Sequence, residues 1–323
     1  MPLLSCAVRV LVLGGTAFVG RAIVADALRQ GADVTLFGRG KTGADLFPGV
    51  PRCIGDRDTG DYGALGEGRW DAVVDVNGYV PRHVGQAMAA LGDRVGRYLF
   101  ISSHRVYEWT GVGPGSDEDT PRRPAMRDTE EVDGDTYGPL KVACEDDVVA
   151  RYGTRATIVR PGKVAGPHDQ SDMFTYWVRR AARGGRVALP GSPDQPVQVI
   201  DSRDLARLVV RLLMDDRAGA FHAVGPAEPT TLAGLIQTCA DVAGSQVEIV
   251  PVAADSVPAL FPLIRPIWST QQRSAARARA AGMPSTPLAV TAADVLAWDR
   301  QRGEPPLLHG PSPAEEEKLL AGA

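Results

Sequence analysis

The sequence predicts an α/β protein, a doubly wound parallel sheet with a smaller C-terminal α+β lobe. Three observations carry this. Short apolar, β-branched runs alternate with stretches of helical periodicity, which implies parallel strands joined by right-handed crossovers. The first of these runs breaks into glycines and opens directly onto a helix, the strand–turn–helix start of a Rossmann-type sheet. After Pro161-Gly162 the alternation loosens, and prolines punctuate the chain between positions 226 and 287. A chain of 323 residues exceeds one core, and its 44% hydrophobic content is enough to fill a second.

The first element is residues 10–20, VLVLGGTAFVG. The strand ends at Gly14, and the helix shows its apolar face at Ile23, Val24, Ala27 and Leu28. Such a turn aims unpaired helix N–H groups at an anion such as a pyrophosphate, so Gly14, Thr16, Ala17, Phe18, Val19 and Gly20 are candidate cofactor-binding residues. Ala17 occupies the middle position of the motif, where glycine is usual. The same glycines could serve a tight turn in any α/β protein, so later residues must decide.

A second strand, ADVTLF at 32–37, runs into Gly38-Arg39-Gly40-Lys41. An acid at this strand end would bond a ribose 2′-hydroxyl, whereas an arginine accepts a 2′-phosphate. The acid is missing, so Arg39, with Lys41 near it, favours NADP and leaves NAD as the alternative; the plain reading is a solvated basic turn. The third strand, 52–54, leads to Asp56, which either meets the adenine edge or closes a turn. The fourth, starting at Trp70, leads to a loop with Asn77 and Tyr79, and the fifth is RYLFISS at 97–103. Residues 110–135 read as a solvated acidic loop, with a lid as the lesser alternative. A helix spans about 137–151 and a sixth strand 157–160. Helices at 173–182 and 204–214, a strand at 220–224 and a tail helix containing Trp298 complete the order.

Tyr137 and Lys141 are four apart and share one helix face. An ammonium beside a phenol lowers its pKa from the ordinary value of about 10 and suits the pair to proton transfer. Pro139 between them is tolerable in a first helical turn, which starts the helix near Tyr137. Active-site groups in open α/β sheets collect at the carboxyl ends of strands, where Ser102 and Ser103 end the fifth. Ser103 would hydrogen-bond a substrate oxygen while Tyr137 moves the proton.

These segments together resemble the extended short-chain dehydrogenase/reductases of the NAD-dependent epimerase/dehydratase type. The matching residues are GGTAFVG at 14–20, FISSHRVYE at 100–108, YGPLK at 137–141, RPGKVAGP at 160–167 and VIDSRDLA at 199–206. The resemblance implies Ser103, Tyr137 and Lys141 as the catalytic triad, Ser103 being four residues before Tyr107. It implies that Asn77 follows the ribose, that Lys141 also binds cofactor, and that Pro161 and Val164 lie near the nicotinamide. It further implies a dinucleotide-binding domain of residues 1–167 plus 197–224, and a substrate-binding lobe and tail of 168–196 plus 225–323. A homodimer follows from the same resemblance. Sugar-nucleotide 4,6-dehydratases carry acid after the catalytic Ser/Thr, and here His104 and Arg105 stand there, which turns the reading toward reductase or epimerase. The GGTxFxG loop and the VTLFGRGK turn are similar to an atypical branch that includes chloroplast stem-loop RNA-binding proteins.

Candidate substrate contacts are Tyr79, His104, His168 and Trp177. An imidazole next to Ser103 offers a second acid/base at neutral pH or a simple loop bond, and Trp177 offers a pocket wall or core. Arg179, Arg180, Arg183 and Arg186 offer either a diphosphate clamp or a solvated face. A net charge of −4 gives no general attraction to nucleic acid or anionic membrane, and no apolar run approaches the ~20 residues of a bilayer span. The partner expected is a small molecule; the rival is a non-catalytic RNA-binding or regulatory protein on the same fold. Cys6, Cys53, Cys144 and Cys239 form no C-x-x-C pair or metal-spaced cluster, so no metal is expected and the thiols read as spectators of a reducing compartment. With MPLLSCA leading straight into the first strand, the expected location is the cytoplasm.

Overall fold

Strand β1 (Arg9–Leu13) alternates its side chains between two layers, and this alternation sets the architecture. Val10 and Val12 face one helical layer and Leu11 and Leu13 the other, all of them fully buried. The structure, a computed structural model, describes residues 7–257 and 261–322; Cys6 lies outside them. The chain continues through α1 (Phe18–Arg29), β2 (Asp33–Gly38), β3 (Arg52–Ile54), β4 (Trp70–Asp75), α2 (Pro81–Leu91), β5 (Val95–Ile101), α3 (Tyr137–Tyr152) and β6 (Ala156–Pro161). Then follow β7 (Lys163–Ala165), α4 (Met173–Ala182), β8 (Gly185–Pro190), β9 (Pro196–Val197), β10 (Val199–Asp201), α5 (Ser202–Met214) and β11 (Gly219–Ala223). The remainder is β12 (Thr230–Thr231), α6 (Leu232–Ala243), β13 (Val247–Val252), α7 (Ala276–Ala280), α8 (Leu288–Gln301) and α9 (Pro313–Ala321).

The central sheet has seven parallel strands in the order β3-β2-β1-β4-β5-β6-β11. Chain order reverses between β1 and β4, and a crevice opens at such a switch point, beyond the carboxyl ends of the strands. Helices α1 and α5 cover one face through Ile23, Val24, Leu205, Leu208 and Val209. Helices α2 and α3 cover the other through Val84, Leu91, Cys144 and Val148. The inner strands β1, β4, β5 and β6 are thus sealed on both sides, as their apolar runs require, while edge strand β3 stays partly exposed.

A second core gathers Phe174, Trp177, Leu189, Leu235, Ile236 and Val295 from α4, β8, α6 and α8. It does not follow the division drawn from sequence. Ala165, Val197 and Val199 join the second core, while Ala275, Ala278, Ala281 and Met283 pack against the central sheet.

Three expectations are corrected here. Trp177 is no pocket wall: it is fully buried, its Nε1 donates to the Pro262 carbonyl at 2.9 Å, and Tyr176 and Phe261 pack on it. Of the four arginines at 179–186, Arg183 and Arg186 are exposed as a solvated face requires, while Arg179 and Arg180 are committed to ion pairs. Arg179 grips Asp299 of α8, while Arg180 and Arg183 converge on Glu316 of α9, fastening the tail to the lobe. Residues 110–135 are exposed along much of their length yet are tied down. Buried Glu118 accepts from the backbone N–H of His222 at 2.6 Å, and Arg122 and Arg127 pair with Glu145, Asp146 and Asp147 of α3. No helix among the described residues is long and apolar enough to cross a membrane. Cys144 and Cys239 are buried thiols pushed up to about 12 by burial, which leaves them inert.

Candidate functional site

The turn after β1 is built by backbone necessity. Gly14 has φ +89°, a conformation side chains resist, and a Cβ on Gly20 would run into the Gly14 carbonyl oxygen. Strand and helix therefore close tightly, and α1 begins at an extended Ala17 that caps nothing with its side chain and has no acid in the first turn. Its N-terminal N–H groups remain available to an anion. Gly14, Thr16, Ala17, Phe18, Val19, Gly20, Arg39 and Asn77 line a groove of about 470 Å³ above the switch point. Tyr79 lines it too. A second cavity of about 250 Å³ continues past Arg39 and holds Asp56, Asp58 and His83. An extended dinucleotide fits this run of surface: uncapped helix for its phosphates, Arg39 at one end, Asn77 and Tyr79 toward the other. Pro161 ends β6 and Val164 lies in β7, both outside the groove lining.

Asn77 is held from beneath by Arg57, whose Nη1 donates to the amide oxygen at 2.9 Å. Arg57 also forms a bidentate pair with fully buried Asp75 at 2.6 and 2.7 Å, and the Tyr98 hydroxyl donates to Asp75 at 2.7 Å. Burial alone would raise the Asp75 carboxyl; the guanidinium overcomes this and holds it below its ordinary value.

At the carboxyl end of β5, Ser103 is buried and its Oγ accepts from the Arg105 backbone N–H at 3.2 Å. Tyr137 opens α3, and its ring lies 6.3 Å from that of Tyr79, which connects it to the groove. Gly138 lets α3 start this close, since a Cβ there would strike the Arg105 carbonyl. Pro139 sits in the first turn, where its missing N–H costs nothing. Burial pushes the Tyr137 phenol above its ordinary value, opposed by its hydrogen bond with Ser103 and by the Arg105 charge. Lys141 is buried, and its Nζ donates to the carbonyls of Gly78 at 2.8 Å and Ile101 at 2.9 Å. It also lies 5.9 Å from the Tyr137 ring centre.

The structure therefore brings Ser103, Tyr137, Lys141 and Tyr79 together, but with different electrostatics from those the spacing predicts. Lys141 does not lower Tyr137: its ammonium is spent on two backbone carbonyls, and burial outweighs the influences that pull the phenol down. His104 is corrected as well. It is buried, and the charges of Arg273, Lys163, Arg265 and Arg105 add to burial in pushing its pKa well below the ordinary range. A neutral imidazole at pH 7 is no second proton donor. His168 packs edge-on against Trp298 with centroids 5.5 Å apart, and feels Arg21 of α1.

The Arg57–Asp75 clamp, Lys163 and Arg265 escaped the sequence reading. Arg57 and Asp75 stand 18 residues apart on different segments, and only the lysine inside RPGKVAGP could have drawn attention.

Comparison with known proteins agrees with this architecture. Residues 67–224 match the NAD dependent epimerase/dehydratase family. The chain is 26% identical over 253 residues to the chloroplast stem-loop binding protein of 41 kDa b of Arabidopsis thaliana, covering 73% of this chain and spanning only 63% of that protein's length. It is 27% identical over 274 residues to the dTDP-6-deoxy-L-talose 4-dehydrogenase (NAD(P)(+)) of Kitasatospora kifunensis, covering 76% of this chain and 82% of that one. RMD from Pseudomonas aeruginosa, solved in complex with NADPH, shares the fold with a TM-score of 0.66 at 23% identity, over 91% of this chain and all of that one. The match of residues 67–224 to the NAD dependent epimerase/dehydratase family takes in the strand ends that carry Asn77, Ser103, Tyr137 and Lys141.

Proposed function

We propose that the protein is an NAD(P)-dependent reductase or epimerase that interconverts a hydroxyl and a carbonyl on a small polar metabolite such as a nucleotide-linked sugar. The observation that carries this reading is the meeting of Tyr137 with Ser103, Tyr79 and Lys141 beside the groove at the strand ends. A nicotinamide dinucleotide, when bound, supplies or accepts hydride. Residues 14–20 would hold its phosphates and Arg39 its adenosine end. Tyr137, protonated at neutral pH because burial raises it, would donate its proton to the substrate oxygen, and Ser103 would orient both. Lys141, anchored by two carbonyls, would keep the local potential positive. His104 and Arg105 offer no acid for elimination, which favours reduction or epimerisation over dehydration.

The dehydrogenase relative supports a nucleotide-sugar substrate, and the chloroplast relative favours a second reading, RNA binding on the same fold. The net charge of −4 weighs against that second reading. Turnover of NADPH with a dTDP-linked 4-keto-6-deoxy sugar tests the first; cofactor binding without turnover of any keto or hydroxyl sugar nucleotide would refute it.

Arg39 is proposed to select NADP. It is half-exposed and 3.6 Å from Asp58, so its contact with a 2′-phosphate is partly screened. Arg39→Ala is expected to weaken NADP binding about 10-fold and leave NAD unchanged. Titration of both dinucleotides by fluorescence checks this, and equal losses for the two would contradict it.

A further inference from the structure

The groove above the switch point is lined by residues between 14 and 79 with one exception, Gln170. Gln170 sits in the segment 166–172, which leads from β7 into α4 and so into the second core. It is exposed, and its amide makes no hydrogen bond with any described residue.

This segment is shaped against its own preferences. Gly166 takes φ +148°, and a Cβ there would crowd the Ser202 hydroxyl at the start of α5. His168 and Asp172 take φ +71° and +53°, left-handed values that side chains resist. Such residues persist where the surroundings over-determine them, and α8 does so at both ends of the segment. The His168 ring packs edge-on against Trp298, with centroids 5.5 Å apart. Buried Asp172 accepts from Arg302 Nη2 at 2.8 Å and from the Leu308 N–H at 3.3 Å. The Arg302 guanidinium lies 4.1 Å from the centre of the Trp298 ring and its Nε donates to Asp299 at 2.8 Å, so both ends rest on one stack of side chains. Between them Asp169 accepts from the Ser171 N–H and hydroxyl at 2.8 and 2.9 Å, which closes the turn at Gln170.

The segment crosses the groove near the start of α1. Gln170 lines the groove together with Ala17, Phe18 and Val19, and it does not reach the second cavity past Arg39. Arg21 of α1 is close enough to His168 for its charge to add to burial in lowering the imidazole.

We propose that residues 166–172 form a fixed strap over the cofactor groove, in which Gln170 donates its amide to the bridging phosphates of the dinucleotide and Arg302, through Asp172, is the residue that positions it. The proposal rests on the reading of the groove as a nicotinamide-dinucleotide site and adds a contact from the second lobe. A carboxamide brings two N–H donors and no charge, and here it supplements the N–H groups that α1 leaves uncapped. Cofactor binding is thereby tied to the packing of α8, which carries Trp298, Asp299 and Arg302.

The test is calorimetric titration of NADPH and of NADH into the full chain and its variants. Because Gln170 is exposed, its substitutions leave the fold intact. Gln170→Ala is expected to weaken both dinucleotides about 10-fold, since both carry the bridging phosphates. Gln170→Glu should weaken them further by repulsion, and Gln170→Lys should tighten them. Arg302→Met should weaken NADPH about fivefold in the wild-type background and by less than about twofold once Gln170→Ala is present, because the strap then has nothing left to position. NADPH and NADH affinities equal across the Gln170 series would overturn the proposal. A change confined to NADPH would overturn it too, by moving Gln170 to the 2′-phosphate. An Arg302→Met effect undiminished in the Gln170→Ala background would overturn the positioning role. A wild-type chain that binds neither dinucleotide removes the reading of the groove and this contact with it, whereas tight binding indifferent to Gln170 removes the contact alone.

Discussion

Replacing Tyr137 with phenylalanine is expected to lower kcat by about 10²- to 10⁴-fold while NADPH affinity stays within about threefold of wild type. The substitution removes one hydroxyl from a half-buried ring and leaves its contacts with Tyr79 in place. The lost hydroxyl is the group that hydrogen-bonds Ser103 and, protonated at neutral pH, would meet the substrate oxygen. Steady-state kinetics paired with cofactor titration separate the two effects. An unchanged kcat would remove Tyr137 from the chemistry, and a loss confined to cofactor affinity would reassign it to binding.

The largest stability effect should come from Arg57. Arg57→Met is expected to cost about 3–5 kcal/mol, because it strands the fully buried Asp75 carboxylate with only the Tyr98 hydroxyl for company. Without its cation, Asp75 in the folded state would titrate above its unfolded value. Its ionisation would then oppose folding at neutral pH but not at pH values below the unfolded pKa, so the deficit should shrink as pH falls toward 4. The double change Arg57→Met/Asp75→Leu should recover much of the loss. Urea unfolding of the three variants at pH 7 and pH 4 measures this. A deficit that grows in acid would show that the pair is not what holds the β4 end. Cofactor affinity should fall with Arg57→Met as well, since the same guanidinium orients Asn77 in the groove.

The sheet was readable because its information is local. A strand buried on both faces must be apolar along its buried length, as VLVL and LFI are, and the Gly14–Gly20 closure leaves no room for a side chain. Tyr137 and Lys141 were readable for the same reason, since one helical turn fixes their shared face. Their electrostatics were not, because Lys141 is anchored by Gly78 and Ile101, 63 and 40 residues away in sequence. His104 was misread on the same grounds: the cations that suppress it come from β7 and from the segments around Arg265 and Arg273. Trp177 shows the limit of periodicity. An aromatic on the apolar face of α4 could line a pocket or fill a core, and Pro262 and Phe261, more than 80 positions later, make it core. Asp75 and Arg57 are 18 residues apart on neighbouring segments, and nothing in either stretch announces the other.

The central claim is that the groove above β1 and β4 binds a nicotinamide dinucleotide. Thermal unfolding with and without NADPH measures it directly. With the dinucleotide at about 100 times its Kd, the folded state should gain about 2.7 kcal/mol, an upward shift of about 4 °C for a chain of this size. A melting temperature unmoved by millimolar NADPH, NADP, NADH and NAD alike would contradict the account.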